Sequence, residues 1–132
     1  MLTVWQEPDA DREIDRYRQR AYKGENRMGL FDFLKGTDFN EGIETYKNTQ
    51  DAVLLDVRTQ QEYLEGRVPG SWNIPLQEIG KVEKLIDKAA PLFVYCLSGA
   101  RSRMAVAQLQ QMGYARVTNL GGINSYRGKV ER

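Results

Sequence analysis

From Thr37 onward, short apolar runs alternate with stretches whose apolar residues recur at helical spacing. Ala52-Val53-Leu54-Leu55-Asp56-Val57 is a continuous apolar run with one charge near its end. Pro91-Leu92-Phe93-Val94-Tyr95-Cys96 is a second, with its proline in the tolerated first position. Such runs suit strands of a parallel sheet covered on both faces. Trp72-Asn73-Ile74 and Val117-Thr118-Asn119-Leu120 give weaker strand signals, and a short edge strand is expected near Phe39. Asn40 is expected to cap a helix over 40–47, and Thr59 a helix that runs to Glu65 and stops at Gly66. Val82, Leu85 and Ile86 stand at helical spacing within 81–88. Residues 102–112 place Ala105, Val106, Leu109 and Met112 on one face before Gly113. Alternation of this kind predicts an α/β domain with a mainly parallel sheet over 36–132.

Residues 1–35 follow a different pattern, with seven acids and seven bases. A helix starting near Pro8-Asp9 would gain i,i+3 ion pairs from Asp9/Arg12, Glu13/Arg16 and Asp15/Arg18. Its apolar stripe is only Ile14, Tyr17 and Ala21, too narrow to demand burial. The segment therefore reads as a charged extension, a weak helix or disordered. Met28-Gly29-Leu30-Phe31-Asp32-Phe33-Leu34 then resembles a second start with a short apolar segment. The upstream stretch is open to three readings: a leader, a cloning artefact or a partner-binding arm.

Composition narrows the chemistry. A chain of 132 residues suits one compact domain that buries roughly two thirds of its unfolded surface. The net charge of +1 gives no reason to expect nucleic acid or an anionic membrane as partner. No stretch approaches the ~18 continuous apolar residues of a membrane span, and the first residues lack the apolar core of a secretory signal. A single cysteine forbids an internal disulfide and fits a reducing, cytoplasmic setting. Histidine is absent, which removes Cys-His and Ser-His dyads and leaves few ligands for zinc, copper or haem. No metal or cofactor is expected. Any nucleophile must be activated by electrostatics.

That nucleophile is expected at Cys96, in Cys96-Leu97-Ser98-Gly99-Ala100-Arg101-Ser102. A buried strand delivers Cys96 to its C-terminal end, a small-residue loop follows, and a helix begins near Ser102. Ligands of open α/β sheets bind at that edge. Ser98, Gly99 and Ala100 let the backbone curl so that its N–H groups converge on one point. The helix start adds partial positive charge, and Arg101 a full one. Such surroundings lower a cysteine pKa from about 8.5 to roughly 3.5–7.5. A lone cysteine in a strand is ordinarily one more buried apolar residue. The loop and the arginine favour the functional reading here.

The chain resembles the rhodanese family in three stretches. Residues 54–75, from Leu54-Leu55-Asp56-Val57-Arg58 to Asn73-Ile74-Pro75, are similar to that family's first signature. Residues 95–102 are similar to its active-site loop, and Asn119-Leu120-Gly121-Gly122-Ile123 to its C-terminal Gly-Gly motif. The resemblance covers roughly 37–128. It implies a single α/β domain with a five-stranded, mainly parallel sheet flanked by helices. It implies a sulfurtransferase that moves sulfane sulfur through a Cys96 persulfide. The donor would be thiosulfate, polysulfide or a protein persulfide, and the acceptor a thiol or another thiophile. The backbone of Leu97 to Ser102 would cradle the persulfide, and Asp56 with Arg58 would form a buried structural pair behind it.

Loop length separates this reading from its neighbours. Four residues stand between Cys96 and Arg101, whereas protein tyrosine phosphatases and the rhodanese-fold phosphatases and arsenate reductases place five there. Three phosphoryl oxygens need a wider ring of donors than one sulfur atom. A second alternative is a non-catalytic partner-binding module, which would have no need to retain Cys96. Arg67 stands where the family often has histidine, Leu97 where many members carry a basic residue, and Tyr126 near an expected aromatic. The uncharged Leu97 favours an uncharged or protein persulfide over thiosulfate as donor. Glu62 and Glu65 read as a solvated helix face, Arg103 as solvent-facing, and Trp72 and Tyr95 as core.

Overall fold

The computed structural model describes residues 38–132. The charged extension expected over 1–35 lies outside the described residues.

Four parallel strands form one sheet: β1 (Val53–Asp56), β2 (Trp72–Asn73), β3 (Leu92–Cys96) and β4 (Val117–Gly122), in spatial order β2-β1-β3-β4. The α/β architecture matches expectation, but the sheet has four strands among the described residues, not five. The strand expected at Phe39 is instead the start of helix α1 (Phe39–Lys47). Asp38, not Asn40, caps it, accepting from the Asn40 and Glu41 amides at 3.0 and 3.1 Å. A carboxylate two residues earlier satisfies the orphan donors of the first turn and fixes where the helix begins. Asn40 is thereby free to tie the domain's ends: its amide donates to the Ser125 carbonyl, and its side-chain oxygen accepts from the Arg127 N–H, both at 2.8 Å.

Helix α2 (Gln60–Glu65) starts at Thr59 and ends at Gly66, as the sequence predicts, with a reciprocal capping box between Thr59 and Glu62. The helix expected over 81–88 is shorter. A 3₁₀ stretch (Leu76–Lys81) leads into the single turn of α3 (Val82–Leu85), and Ile86 is already extended. Val82 and Ile86 are buried, but Leu85 points outward at 59% exposure, so the apolar trio never forms one face. Helix α4 (Ala100–Gln111) begins two residues before the expected start because Gly99 serves as its N-cap.

Alternation along the strands builds a core on each side of the sheet. Leu55, Val94, Leu92 and Cys96 pack with Ala105 and Leu109 of α4 and with Ile79, Val82 and Tyr114. Leu54, Phe93 and Tyr95 pack with Phe39 and Ile43 of α1, Val68 and Leu120. Truncating one of these fully buried leucines to alanine costs on the order of 2–5 kcal/mol. All five residues of β3 are buried, which places its final residue at a defended end of the sheet. Tyr95 is core as expected. Trp72 is not: it lies on the two-residue edge strand and is 46% exposed.

Candidate active site

Parallel strands all end on the same edge, so the loops after β1, β3 and β4 converge there. β3 carries Cys96 to that edge with its side chain 1% exposed. Beside it, β4 slips register between Val94 and Tyr95, so that Tyr95 pairs with Gly121 and Cys96 with Gly122. The slip leaves Leu120 as the extra residue of a bulge, and Gly121 takes a φ of +92°, open to glycine without strain. Asn119 steadies the turn by accepting the Gly121 N–H on Oδ1 at 2.9 Å. The bulge sets Gly122 directly against Leu97 and Ser98: a Cβ there would overlap the Leu97 carbonyl oxygen and lie 2.7 Å from Ser98 Cα. Gly122 is therefore the floor of the cysteine loop.

The loop closes around sulfur. Gly99 adopts φ +112°, which an L side chain rarely does, and this turn aims its N–H at Cys96 Sγ over 3.0 Å. The Cys96 thiol contacts Ser102 Oγ at 3.6 Å, and the Ser102 hydroxyl donates to the Gly99 carbonyl at 3.0 Å. On deprotonation that hydroxyl can turn to donate to sulfur. Burial alone would raise the Cys96 pKa. Hydrogen bonds from the Ser102 hydroxyl and from the amides of Ser102, Gly99 and Ser98 outweigh it, leaving the thiol below its ordinary value. The Ser102 amide belongs to the first turn of α4, where N–H groups have no helical partner. Ser102 is fully buried, Leu97 and Ser98 are exposed, and Ala100 lies on the outer side of the turn. Leu97 is held through its carbonyl, which accepts from the Asn124 N–H at 3.3 Å.

Arg101, expected to add a full positive charge beside Cys96, is paired with a carboxylate. Its Nη1 and Nη2 donate to Glu62 Oε1 and Oε2 at 2.7 and 2.9 Å. Glu62 is therefore not a solvated residue of α2. Its carboxylate also accepts the Thr59 N–H and hydroxyl at 3.0 and 3.1 Å, and the Arg101 pairing foremost holds its pKa down at about 2. One residue thus caps α2 and grips the cysteine loop. A signal was present in the sequence: a Thr-x-x-Glu box after β1 and an arginine in the first turn after β3, with those strands adjacent. Glu65 and Arg103 are exposed as expected.

Asp56 and Arg58 form the buried pair. Arg58 Nε and Nη2 donate to the Asp56 carboxylate, the shortest contact being 2.7 Å, and Nη2 also reaches the Gly66 carbonyl at 2.7 Å. Asn73 donates to the Asp56 and Arg58 carbonyls, both at 3.0 Å, locking β2 to the end of β1. Arg67 pairs with Glu131 at 3.6 Å and lies over the Tyr63 ring. Among the described residues, no three His, Cys, Asp or Glu side chains converge to hold a metal ion, and no helix is long and apolar enough to cross a membrane.

A parallel sheet that delivers a hydrogen-bonded cysteine to its C-terminal edge, ahead of a glycine turn and a helix start, defines an α/β domain with a candidate cysteine site at its ligand-binding edge. Comparison with known proteins resolves the family. The model of the Rhodanese-like domain family matches residues 38–129, and the chain belongs to that family. A sulfurtransferase of Allochromatium vinosum is 41% identical over 75 residues, 57% of this chain and 70% of that protein. The thiosulfate sulfurtransferase PspE of Escherichia coli is 38% identical over 71 residues, 52% of this chain and 68% of that one. A solved structure of a rhodanese with anions, also from Escherichia coli, superposes with a TM-score of 0.57 at 32% identity, covering 61% of this chain and 98% of that chain.

Proposed function

We propose that Cys96 carries sulfur for this chain, a rhodanese-type sulfurtransferase, as a persulfide on Sγ. The observation that carries the reading is the Gly99 N–H aimed at Cys96 Sγ over 3.0 Å, beside the buried Ser102 hydroxyl. These donors favour thiolate, and they would serve the terminal sulfur of a persulfide equally well. With thiosulfate as donor, the thiolate attacks the outer sulfur, a new S–S bond forms, and sulfite departs with the electron pair of the old one. A thiophilic acceptor such as cyanide then takes the outer sulfur as thiocyanate and regenerates the thiolate. With one cysteine in the chain, no internal thiol can resolve the persulfide, so the acceptor must be external.

The backbone of Leu97 to Ser102 would cradle the transferred sulfur, and Asp56 with Arg58 form the buried pair behind it. The span of four residues between Cys96 and Arg101 supports sulfur over a phosphoryl group. A reducing, cytoplasmic setting suits the single free thiol. Residues 1–35 are a charged extension separable from this chemistry. Intact mass after incubation with thiosulfate or polysulfide tests the reading. The wild-type chain should gain one sulfur atom, and Cys96→Ser should gain none. Loading of the serine variant, or none in the wild type, would sink it.

A further inference from the structure

The Arg101–Glu62 pair changes the charge that a sulfur donor meets. Arg101 stands five residues after Cys96, in the first turn of α4, where its charge would attract an anionic donor. Yet its guanidinium is held end-on by both oxygens of Glu62, and the pair is only partly exposed, 32% and 25% at the side chains. The second arginine behind the site, Arg58, is likewise matched by Asp56. Arg101 and Arg58 thus bring no net charge to the cysteine loop, which offers amide dipoles to the transferred sulfur, and Arg103 of α4 is exposed to solvent, where salt screens it. Thr59 holds the Glu62 carboxylate in place from the other side, so the pairing is part of the α2 cap.

We propose that Glu62 is a specificity-determining residue: by cancelling Arg101, it opens the Cys96 thiolate to sulfur donors of low charge, such as hydropersulfides, and disfavours the thiosulfate dianion. The inference rests on Cys96 as sulfur carrier. In the favoured step the thiolate attacks the outer sulfur of a hydropersulfide. The donor's S–S bond breaks, and the proton of the outer sulfur passes to the departing thiolate, which leaves as a thiol.

The test compares thiosulfate with 2-hydroxyethyl hydropersulfide as donors to the full chain, wild type and Glu62→Gln. Removing one negative charge several ångströms from a dianion should raise kcat/KM for thiosulfate roughly 5–10-fold, and for the hydropersulfide less than about threefold. In the wild type, kcat/KM for thiosulfate should hold or rise between about 0.02 and 0.2 M salt, since with Arg101 paired the dianion meets the like charge of the thiolate, which salt screens. A steep fall with salt in the wild type marks a net cationic site and overturns the proposal, whatever the variant does. So does a Glu62→Gln variant in which both donors slow together at an unchanged ratio, because Glu62 is then a strut only. In both cases mass spectrometry still finds sulfur on Cys96. Absence of that sulfur would overturn the carrier reading itself, and the specificity with it.

Discussion

Gly122→Ala isolates the dependence of the cysteine loop on the floor beneath it. Gly122 has ordinary extended angles, φ −108° and ψ 136°, so alanine meets no backbone strain there. Its Cβ, however, would overlap the Leu97 carbonyl oxygen and stand 2.7 Å from Ser98 Cα and 2.9 Å from the Leu97 carbonyl carbon. All three are backbone atoms, so no flexible side chain can turn aside. Restoring Ser98 Cα to the 3.4 Å at which ordinary contact begins needs a shift of about 0.7 Å. The displaced segment carries the Ser98 amide and leads into Gly99, both donors to Cys96 Sγ. Misplacement by about 1 Å at a reacting centre costs on the order of 10²-fold, and overpacking of this kind destabilises by about 1–3 kcal/mol. We therefore expect kcat/KM for sulfur transfer to cyanide to fall 10–100-fold, with the chain still folded by circular dichroism. Gly121→Ala is the control. Its φ of +92° makes alanine strained, by about 1–2 kcal/mol, but nothing lies within 4 Å of the new Cβ. It should lower the thermal midpoint and leave kcat/KM within about threefold. A Gly122→Ala variant as active as wild type would refute the claim that Gly122 sets the loop.

Two further outcomes are expected. The rate of Cys96 alkylation should titrate with an apparent pKa below the free-cysteine value of about 8.5. Because the folded pKa is the depressed one, its contribution to stability is complete above the unfolded value and is lost as pH falls through the folded one; a midpoint at or above 8.5 would contradict the hydrogen bonding to sulfur. A chain beginning at Met28 should fold and retain cyanide-dependent transfer, and its inactivity would show that the charged extension is needed for catalysis.

The sheet was legible wherever burial on both faces left a continuous apolar run. Residues 52–57 and 91–96 became β1 and β3, since a strand covered on both sides has no polar positions to confuse its period. Thr59 was legible as a cap because the capping box is local, spanning residues 59–62. Errors gathered where tertiary contacts decide. Phe39 has strand propensity, yet Asp38 caps a helix there and Phe39 turns in against Tyr95, with ring centroids 5.6 Å apart. Trp72 is large and apolar, but β2 has a neighbour on only one side and leaves it exposed.

The cysteine loop shows the same division more sharply. Cys96, Gly99 and Ser102 lie within one short segment of the chain, so their convergence follows from strand, turn and helix start in that order. The Arg101–Glu62 contact joins residues 39 apart in sequence, and charge patterning along one helix cannot reveal it. What makes it inferable is topology. β1 and β3 are adjacent and parallel, each is followed by a helix, and both helices begin at the same edge. First-turn side chains of two such helices are placed to meet, and an acid on one with an arginine on the other will pair. The arginine that a linear reading assigns to the sulfur is therefore paired with a carboxylate, and the amides and the Ser102 hydroxyl are left to lower the Cys96 pKa.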